Sequence, residues 1–412
     1  MVLTRGEIKR RAVTEYQSCD NPGELVSFLF RPRGAMRSTP TKCGLVADPQ
    51  DREGDRFAHF IAPAEDRADP TIEEKDRLLI TNLDPALMSP AGFDLRVGEE
   101  VYFSKYNRNV LSLDQLRELA KRGEVKKAKP NAEGKILLTG DPAGNNVYFI
   151  VSHETIKLPS DLSLLIDSKS STGRLACMCI DKSRLALEME HTSPVIVSAQ
   201  PYWADLEIEP GKSSLVQAIL RYRHSPFMTR EDILKDGENI SYYHKGEKLD
   251  LPRVAHFAKE GMAMTFSTGL AFRGKEKRRL PGPIDVDAKG TYNVRDYFDT
   301  LEGNGELEIL PRRFYLMGTQ EEIRLGGVCG ILSRETPDTG TGLWGHFAGV
   351  IWQGFAGEIT MEVRSESRRL ISQGDFAGFL QFDKLEKWNP GAGYCGNYQN
   401  QKVPKAPKMF KS

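Results

Sequence analysis

The 412-residue sequence is short of several things, and each shortage removes a class of function. Six cysteines (Cys19, Cys43, Cys177, Cys179, Cys329 and Cys395) are too dispersed for a disulfide framework and read as reduced thiols of a cytoplasmic protein. Net charge is absent: 57 Lys and Arg stand against 57 Asp and Glu. That balance excludes a surface given over to a nucleic-acid polymer, while leaving room for one local anion pocket. No apolar run approaches the roughly 18 residues of a membrane-spanning helix, and residues 1–7 lack the apolar core of a secretory signal, so no membrane partner is expected. A GxxxxGK[ST] phosphate loop is also missing.

What is present is a globular composition, 39% hydrophobic and 28% charged, on a chain long enough for several domains. Residues 7–13 pattern as a short amphipathic helix, and residues 21–81 turn to Pro, Gly, Arg and Asp, a loop-rich stretch with no assignable role. From Leu79 onward, β-branched and aromatic runs at 93–103, 146–151, 162–166, 195–198 and 215–222 alternate with turn signals, the rhythm of β-sandwich or barrel modules. A helix is expected over 113–122, capped by Ser112. The second half repeats the first: Tyr148, Ile156 and Leu158 return as Tyr315, Ile323 and Leu325, each 167 positions on. Pro210-Gly211 meets Gln373-Gly374 at a spacing of 163. Chance explains one such match more easily than three at one offset, so a duplicated β module is expected. The division predicted is an extension over 1–78, a first β module over 79–225, a linker over 226–250, and a second module with a tail over 251–412.

Three strings can carry chemistry. Ser168-Lys169-Ser170-Ser171-Thr172-Gly173-Arg174 sets hydroxyls, turn amides and cations together after a strand, a combination that suits phosphate oxygens; the alternative is an ordinary solvated turn. Residues 342–363 read as a glycine-rich hairpin on which alternation puts Thr360 and Glu362 on one face and Ile359, Met361 and Val363 on the other. Glu362 is then either a site carboxylate or an outward charge on an outer strand. The tail from Pro390 to Lys408 is rich in Gly and Pro and reads as a lid too polar to build core, or as a frayed end.

Together, Lys169-Ser170-Ser171-Thr172-Gly173-Arg174, the segment ending at Met361-Glu362, and Tyr394, Tyr398, Gln399 and Gln401 resemble the deoxycytidine triphosphate deaminase branch of the dUTPase superfamily, in its double-length bacterial form. Asn82-Leu83-Asp84-Pro85-Ala86 and Asp94-Leu95-Arg96-Val97-Gly98 resemble that family's N-terminal signature. The resemblance implies a mainly β fold of duplicated dUTPase-like distorted β-barrel (jelly-roll-like) modules with a few short helices, built into a homo-oligomer around a three-fold axis. It implies hydrolytic deamination of dCTP to dUTP and ammonia without zinc, with Mg²⁺ accompanying the deoxynucleoside triphosphate. By the same resemblance, Ser170, Ser171 and Arg174 hold the triphosphate and order the catalytic water, with Lys169, Thr172 and Gly173 on the same turn. The main chain at Ala348 and Gly349 reads the pyrimidine, Glu362 is the general base, and Tyr394, Tyr398, Gln399, Gln401 and Lys405 close over the nucleotide. On zinc the sequence agrees: no His-x-Glu precedes a Pro-Cys-x-x-Cys, and Cys177-Met178-Cys179 has the wrong spacing.

The chain also departs from the pattern. Trp352-Gln353-Gly354 replaces the family's Asp-Pro-Gly, so the carboxylate expected on the deoxyribose hydroxyl is missing. The first module has Val195-Ile196-Val197-Ser198 where a Glu is expected, and the second has Thr336-Pro337-Asp338-Thr339-Gly340 where the first has the serine turn. Each half keeps what the other lacks, so a composite site is expected. A dUTP pyrophosphatase of the same superfamily and a non-catalytic nucleotide-binding or assembly protein are the competing readings.

Overall fold

The computed structural model describes Ala12–Glu15 and residues 78–411, apart from 85–86, 90–91, 111, 159–161, 182–192, 223–224, 236–238, 245, 249–256, 259–260, 333–342, 345–346, 386–393 and 395. Most of the 1–78 extension, Cys19, Cys43, Cys395, the Thr336–Gly340 string and the start of the tail lie outside the described residues. The helix expected over 7–13 does too, except at its end, where the reading is corrected. Ala12 and Val13 open a strand, β1 (Ala12–Glu15), that runs parallel to β2 (Leu78–Thr81). Two adjacent β-branched residues, Val13 and Thr14, suit a pleated edge better than a helix once a partner strand is at hand.

The fold is mainly β and duplicated, as expected. In the first half, β3 (Gly92–Ser104), β4 (Val147–Lys157), β5 (Leu162–Ser168), β6 (Cys177–Asp181), β7 (Ser193–Pro201) and β8 (Ser214–Tyr222) form a sheet of order β1-β2-β4-β3-β8-β5, with β7 between β4 and β6. In the second, β9 (Ile240–His244), β10 (Gly261–Gly274), β11 (Phe314–Leu325), β12 (Val328–Leu332), β13 (Leu343–Trp344), β14 (Val350–Ile351), β15 (Ala356–Ser365) and β16 (Phe376–Lys384) give β9-β11-β10-β16-β12-β14, with β15 between β11 and β13. The order β2-β4-β3-β8-β5 is the order β9-β11-β10-β16-β12. Even the bulges correspond: β3 slips against β4 between Val97 and Val101, and β10 slips against β11 between Ser267 and Ala271.

Buried polar groups repeat as well. Ser152 Oγ donates to the Glu154 carbonyl at 2.6 Å, and Thr319 Oγ1 to the Glu321 carbonyl at 2.8 Å. Both glutamates are buried, and each accepts a main-chain N–H from the neighbouring strand, from Arg96 at 2.8 Å and Thr265 at 2.9 Å. Burial pushes both carboxyls up from their ordinary range, while these hydrogen bonds pull the other way.

The helix expected over 113–122 is α1 (Leu113–Lys121), and the Gln115 N–H donates to its cap, Ser112 Oγ, at 3.2 Å. The segment 226–250, read as a linker, carries a short helix (Arg230–Lys235) and the whole of β9, which pairs with β11. The halves pack as one body. Trp203 stacks on Phe314 and meets Phe298, Arg221 pairs with the buried Asp383, and Leu206–Ile208 runs parallel to Ile284–Asp285. No helix among the described residues is long and apolar enough to cross a membrane.

Candidate active site

The phosphate-type string becomes a single helical turn, α2 (Ser170–Gly173), carried at the end of β5. One N-terminal signature residue anchors it: Lys169 pairs with Asp94 through its ammonium. Another, Arg96, pairs with the buried Glu154 at 2.7 Å on the neighbouring strand. Gly173 is not there for a left-handed backbone. A Cβ on it would lie 2.7 Å from Ala348 Cβ and 3.1 Å from Glu362 Cδ, so its hydrogen lets the second half close onto the turn. Gly173→Ala should therefore separate the halves of the site at a cost of about 1–3 kcal/mol. The rate of any reaction carried out in the cleft should fall with little change in circular dichroism; an unchanged rate would remove the packing role of Gly173.

Glu362 sits on β15 opposite Leu316, and the corresponding pair in the first half is Phe149 opposite Ser198, so Ser198 holds the place of the missing carboxylate. The outward reading of Glu362 is overturned, since it is 2% exposed. Its Oε2 accepts the N–H groups of Phe347 at 3.0 Å and Ala348 at 3.1 Å. Asp167, one residue before the end of β5, accepts the next two, from Gly349 and, at 3.0 Å, Val350. Four successive amides are thus shared between one carboxylate from each half, so the N–H groups of Ala348 and Gly349 are bonded to carboxylates. One expectation is corrected: the hairpin over 342–363 is not a simple one, because β13 stays with β15 while β14 leaves to pair with β12.

Arg174 is buried, and its guanidinium lies 3.7 Å over the Tyr398 ring. It donates to the Lys405 carbonyl at 2.7 Å and to Gln401 Oε1 at 3.3 Å, while its buried Nε has no hydrogen-bond partner among the described residues. Ser171 Oγ and the Tyr398 hydroxyl are 2.9 Å apart. Gln399 clamps the turn before β15, accepting from the Ala356 N–H at 3.0 Å and donating to the Gly354 carbonyl at 2.8 Å. Gln401 lies parallel to β15 at Gly357, whose φ of 139° and lack of a side chain admit the tail, and its amide donates to Thr360 Oγ1 at 3.1 Å.

Of the residues singled out in the sequence, Ser170, Arg174, Ala348, Glu362, Tyr394, Tyr398 and Gln401 line one cleft, joined by Thr360, Trp352 and Phe355. Lys169, Ser171, Thr172, Gly173, Gly349, Gln399 and Lys405 do not line it. Trp352, where the family carries Asp, donates its indole N–H to Gln217 at 3.2 Å and packs on Ile219 and Leu385. Sequence reasoning missed Asp167, and it placed Thr360 on the face of Glu362 without giving it a role. A carboxylate ending the apolar run Leu164-Leu165-Ile166 was the available signal for the first, because buried acids need partners.

The tail corrects the expectation that it is too polar to build core. Met409 and Phe410 are buried, and Phe410 touches the rings of Tyr292, Tyr297 and Phe298, so the chain's end builds core. Beside the tail, Glu358 has its carboxyl pushed from 4.5 to about 7, first by burial and then by Glu322 and Glu321, against the pull of Lys402. A raised carboxyl pKa means that the folded state holds its proton longer than the unfolded one. Stability should therefore fall as pH rises from about 4.5 to 7. Glu358→Gln should flatten that part of the melting-temperature profile; an unchanged slope would assign it to other groups.

The fold and cleft define a class first: a two-module β protein in which a serine–arginine turn of one half faces a buried carboxylate of the other. Comparison then supplies the family. A family model described as dCTP deaminase-like matches residues 64–200, and one described as the C-terminal domain of 2'-deoxycytidine 5'-triphosphate deaminase matches residues 239–410. The chain belongs to the dCTP deaminase family. Among solved structures, it is similar in fold to the crystal structure of 2'-deoxycytidine 5'-triphosphate deaminase from Agrobacterium tumefaciens, with a TM-score of 0.61 and 22% identity over 74% of this chain and 92% of that one. No curated protein matches the chain in sequence.

Proposed function

We propose that the chain hydrolyses dCTP to dUTP and ammonia in pyrimidine deoxynucleotide metabolism, at the cleft between its halves. The observation that carries this reading is the meeting of Arg174 and Glu362, from different modules, in one buried cleft. Ser170, Ser171 and Arg174 grip the triphosphate, and the unpartnered Arg174 Nε is a donor that a phosphate oxygen completes. Glu362, held in place by the Phe347 and Ala348 amides, takes a proton from water as its oxygen bonds to C4. The same proton goes to the amine as the C4–N bond breaks and ammonia leaves.

In the structure the cleft encloses about 50 Å³, far below the roughly 300–1,000 Å³ of small-molecule sites, so Tyr398 and Gln401 must shift to admit a nucleotide. Mg²⁺ travels with the triphosphate. Among the described residues no three His, Cys, Asp or Glu side chains gather to hold a metal, so its ligands are phosphate oxygens and water, and no step runs through it. Zinc has no role in this reading: a hydrogen bond with Cys179 and complete burial push the Cys177 thiol well up, away from the thiolate that binds metal. The assembly is a homo-oligomer in the cytoplasm, where buried reduced thiols such as those of Cys177, Cys179 and Cys329 persist.

Product analysis with dCTP, dUTP and Mg²⁺ tests the reading. Ammonia and dUTP from dCTP are expected. Pyrophosphate and dUMP from dUTP would support the pyrophosphatase instead, and binding of both without turnover would support a sensor.

A further inference from the structure

The segment from Phe347 to Val350 is held by carboxylates of both halves. Glu362 Oε2 accepts its first two amides, and Asp167 Oδ2 accepts the last two, from Gly349 and, at 3.0 Å, Val350. Main-chain pairing within the second half fixes the later part as well. The Gly349 carbonyl accepts the Leu332 N–H at 2.8 Å, and Val350 lies opposite Ile331. Asp167 is set in turn by the first-half sheet, where it lies opposite Gln217 on β8 and is 5% exposed.

Its place in the chain adds a second constraint. Asp167 stands three residues before Ser170, at the strand end that carries the phosphate turn. The group that seats the segment and the turn that faces the cleft are thus parts of one strand end. Glu362 comes from the other half, and the Phe347 and Ala348 amides of that same segment orient its carboxyl. The position of the phosphate turn is therefore passed to Glu362 through four consecutive amides. Two like charges flank the segment, and each is faced by two N–H dipoles, the charge-assisted kind of bond that holds best in a buried site. A single oxygen, Oδ2, takes both amides, so what the segment requires of residue 167 is one well-placed acceptor.

We propose that Asp167 is a positioning residue: it does not line the cleft, and it sets Glu362 against the phosphate turn by seating the segment between them. The inference rests on the deaminase reading, in which Glu362 is the general base. Misplacing a reacting group by about 1 Å costs on the order of 10²-fold in rate, which is the effect expected when the seat is removed.

Steady-state kinetics with dCTP and amide hydrogen exchange, both on the full chain, test it. Asp167→Ala removes the acceptor and should lower kcat about 10²-fold, with KM for dCTP within about threefold of the parent. Asp167→Asn keeps an oxygen in place of Oδ2 and should hold kcat within about tenfold of the parent. A residue that merely stabilised the fold would shift the melting temperature without this split of kcat from KM or this rescue by asparagine. Parental kcat in folded Asp167→Ala overturns the proposal, and so does an equal loss in Asp167→Asn. The asparagine variant keeps the test decisive if Asp167→Ala fails to fold. Exchange at the Phe347 and Ala348 amides, which Glu362 holds, should quicken in Asp167→Ala. Unchanged exchange at those two amides overturns the proposal as well. A parent that does not turn over dCTP would end the deaminase reading, while exchange at Phe347 and Ala348 would still show whether Asp167 seats the segment.

Discussion

Glu362→Gln should reduce dCTP deamination by about 10²–10⁴, the usual contribution of a positioned general base, while leaving nucleotide affinity nearly unchanged. The replacement is close to isosteric. A glutamine oxygen can still accept the Phe347 and Ala348 amides that Oε2 now holds at 3.0 and 3.1 Å, so the segment between β13 and β14 keeps its course. What is lost is the ability to take a proton from water and return it to the leaving amine. The phosphate turn belongs to the other half of the chain, and Arg174 beside it makes its hydrogen bonds to the tail rather than to Glu362. Full turnover by the variant would remove Glu362 from the chemistry. Loss of binding together with activity would show that it is needed only to hold the loop.

Phe410→Ala should cost about 3–5 kcal/mol of stability, the range for truncating a buried aromatic. Phe410 is 5% exposed, and its ring meets Tyr292, Tyr297 and Phe298 at centroid distances between 5.3 and 5.8 Å. Two of these rings, Tyr297 and Phe298, pack against Trp203 of the first half, so the loss should be felt across both modules as one transition. Denaturant unfolding followed by tryptophan fluorescence reads it directly. A midpoint equal to that of the parent would return the tail to the role of a lid with no part in the core.

The contrast between these residues shows what was legible in the sequence. Period-two runs and a fixed offset of 167 were enough for the duplicated sheets, because strand pairing within each module depends on those local patterns. The Ser112 cap was legible for the same reason: its chemistry is complete within four residues. Ser170, Arg174 and Glu362 could be named from residue type and resemblance, but their meeting could not, since it depends on Gly173 giving way to Ala348 across the module boundary. Asp167 was invisible as a partner of Gly349 and Val350, because its acceptors serve a segment more than 180 residues away. The tail was misread because Gly and Pro dominate its composition, while two residues at its very end, Met409 and Phe410, decide its packing. Trp352 followed the same logic in reverse. Read as a missing carboxylate, it is a packing residue bonded to Gln217 of the other half.

One chain supplies both the phosphate turn and the carboxylate, and complementation between inactive variants tests that arrangement most directly. An Arg174→Ala chain and a Glu362→Gln chain, co-expressed and purified as mixed oligomers, should remain as inactive together as apart, because every site in either chain lacks one of its groups. Recovery of deamination in the mixture would contradict the account, since it requires Arg174 of one chain to meet Glu362 of another.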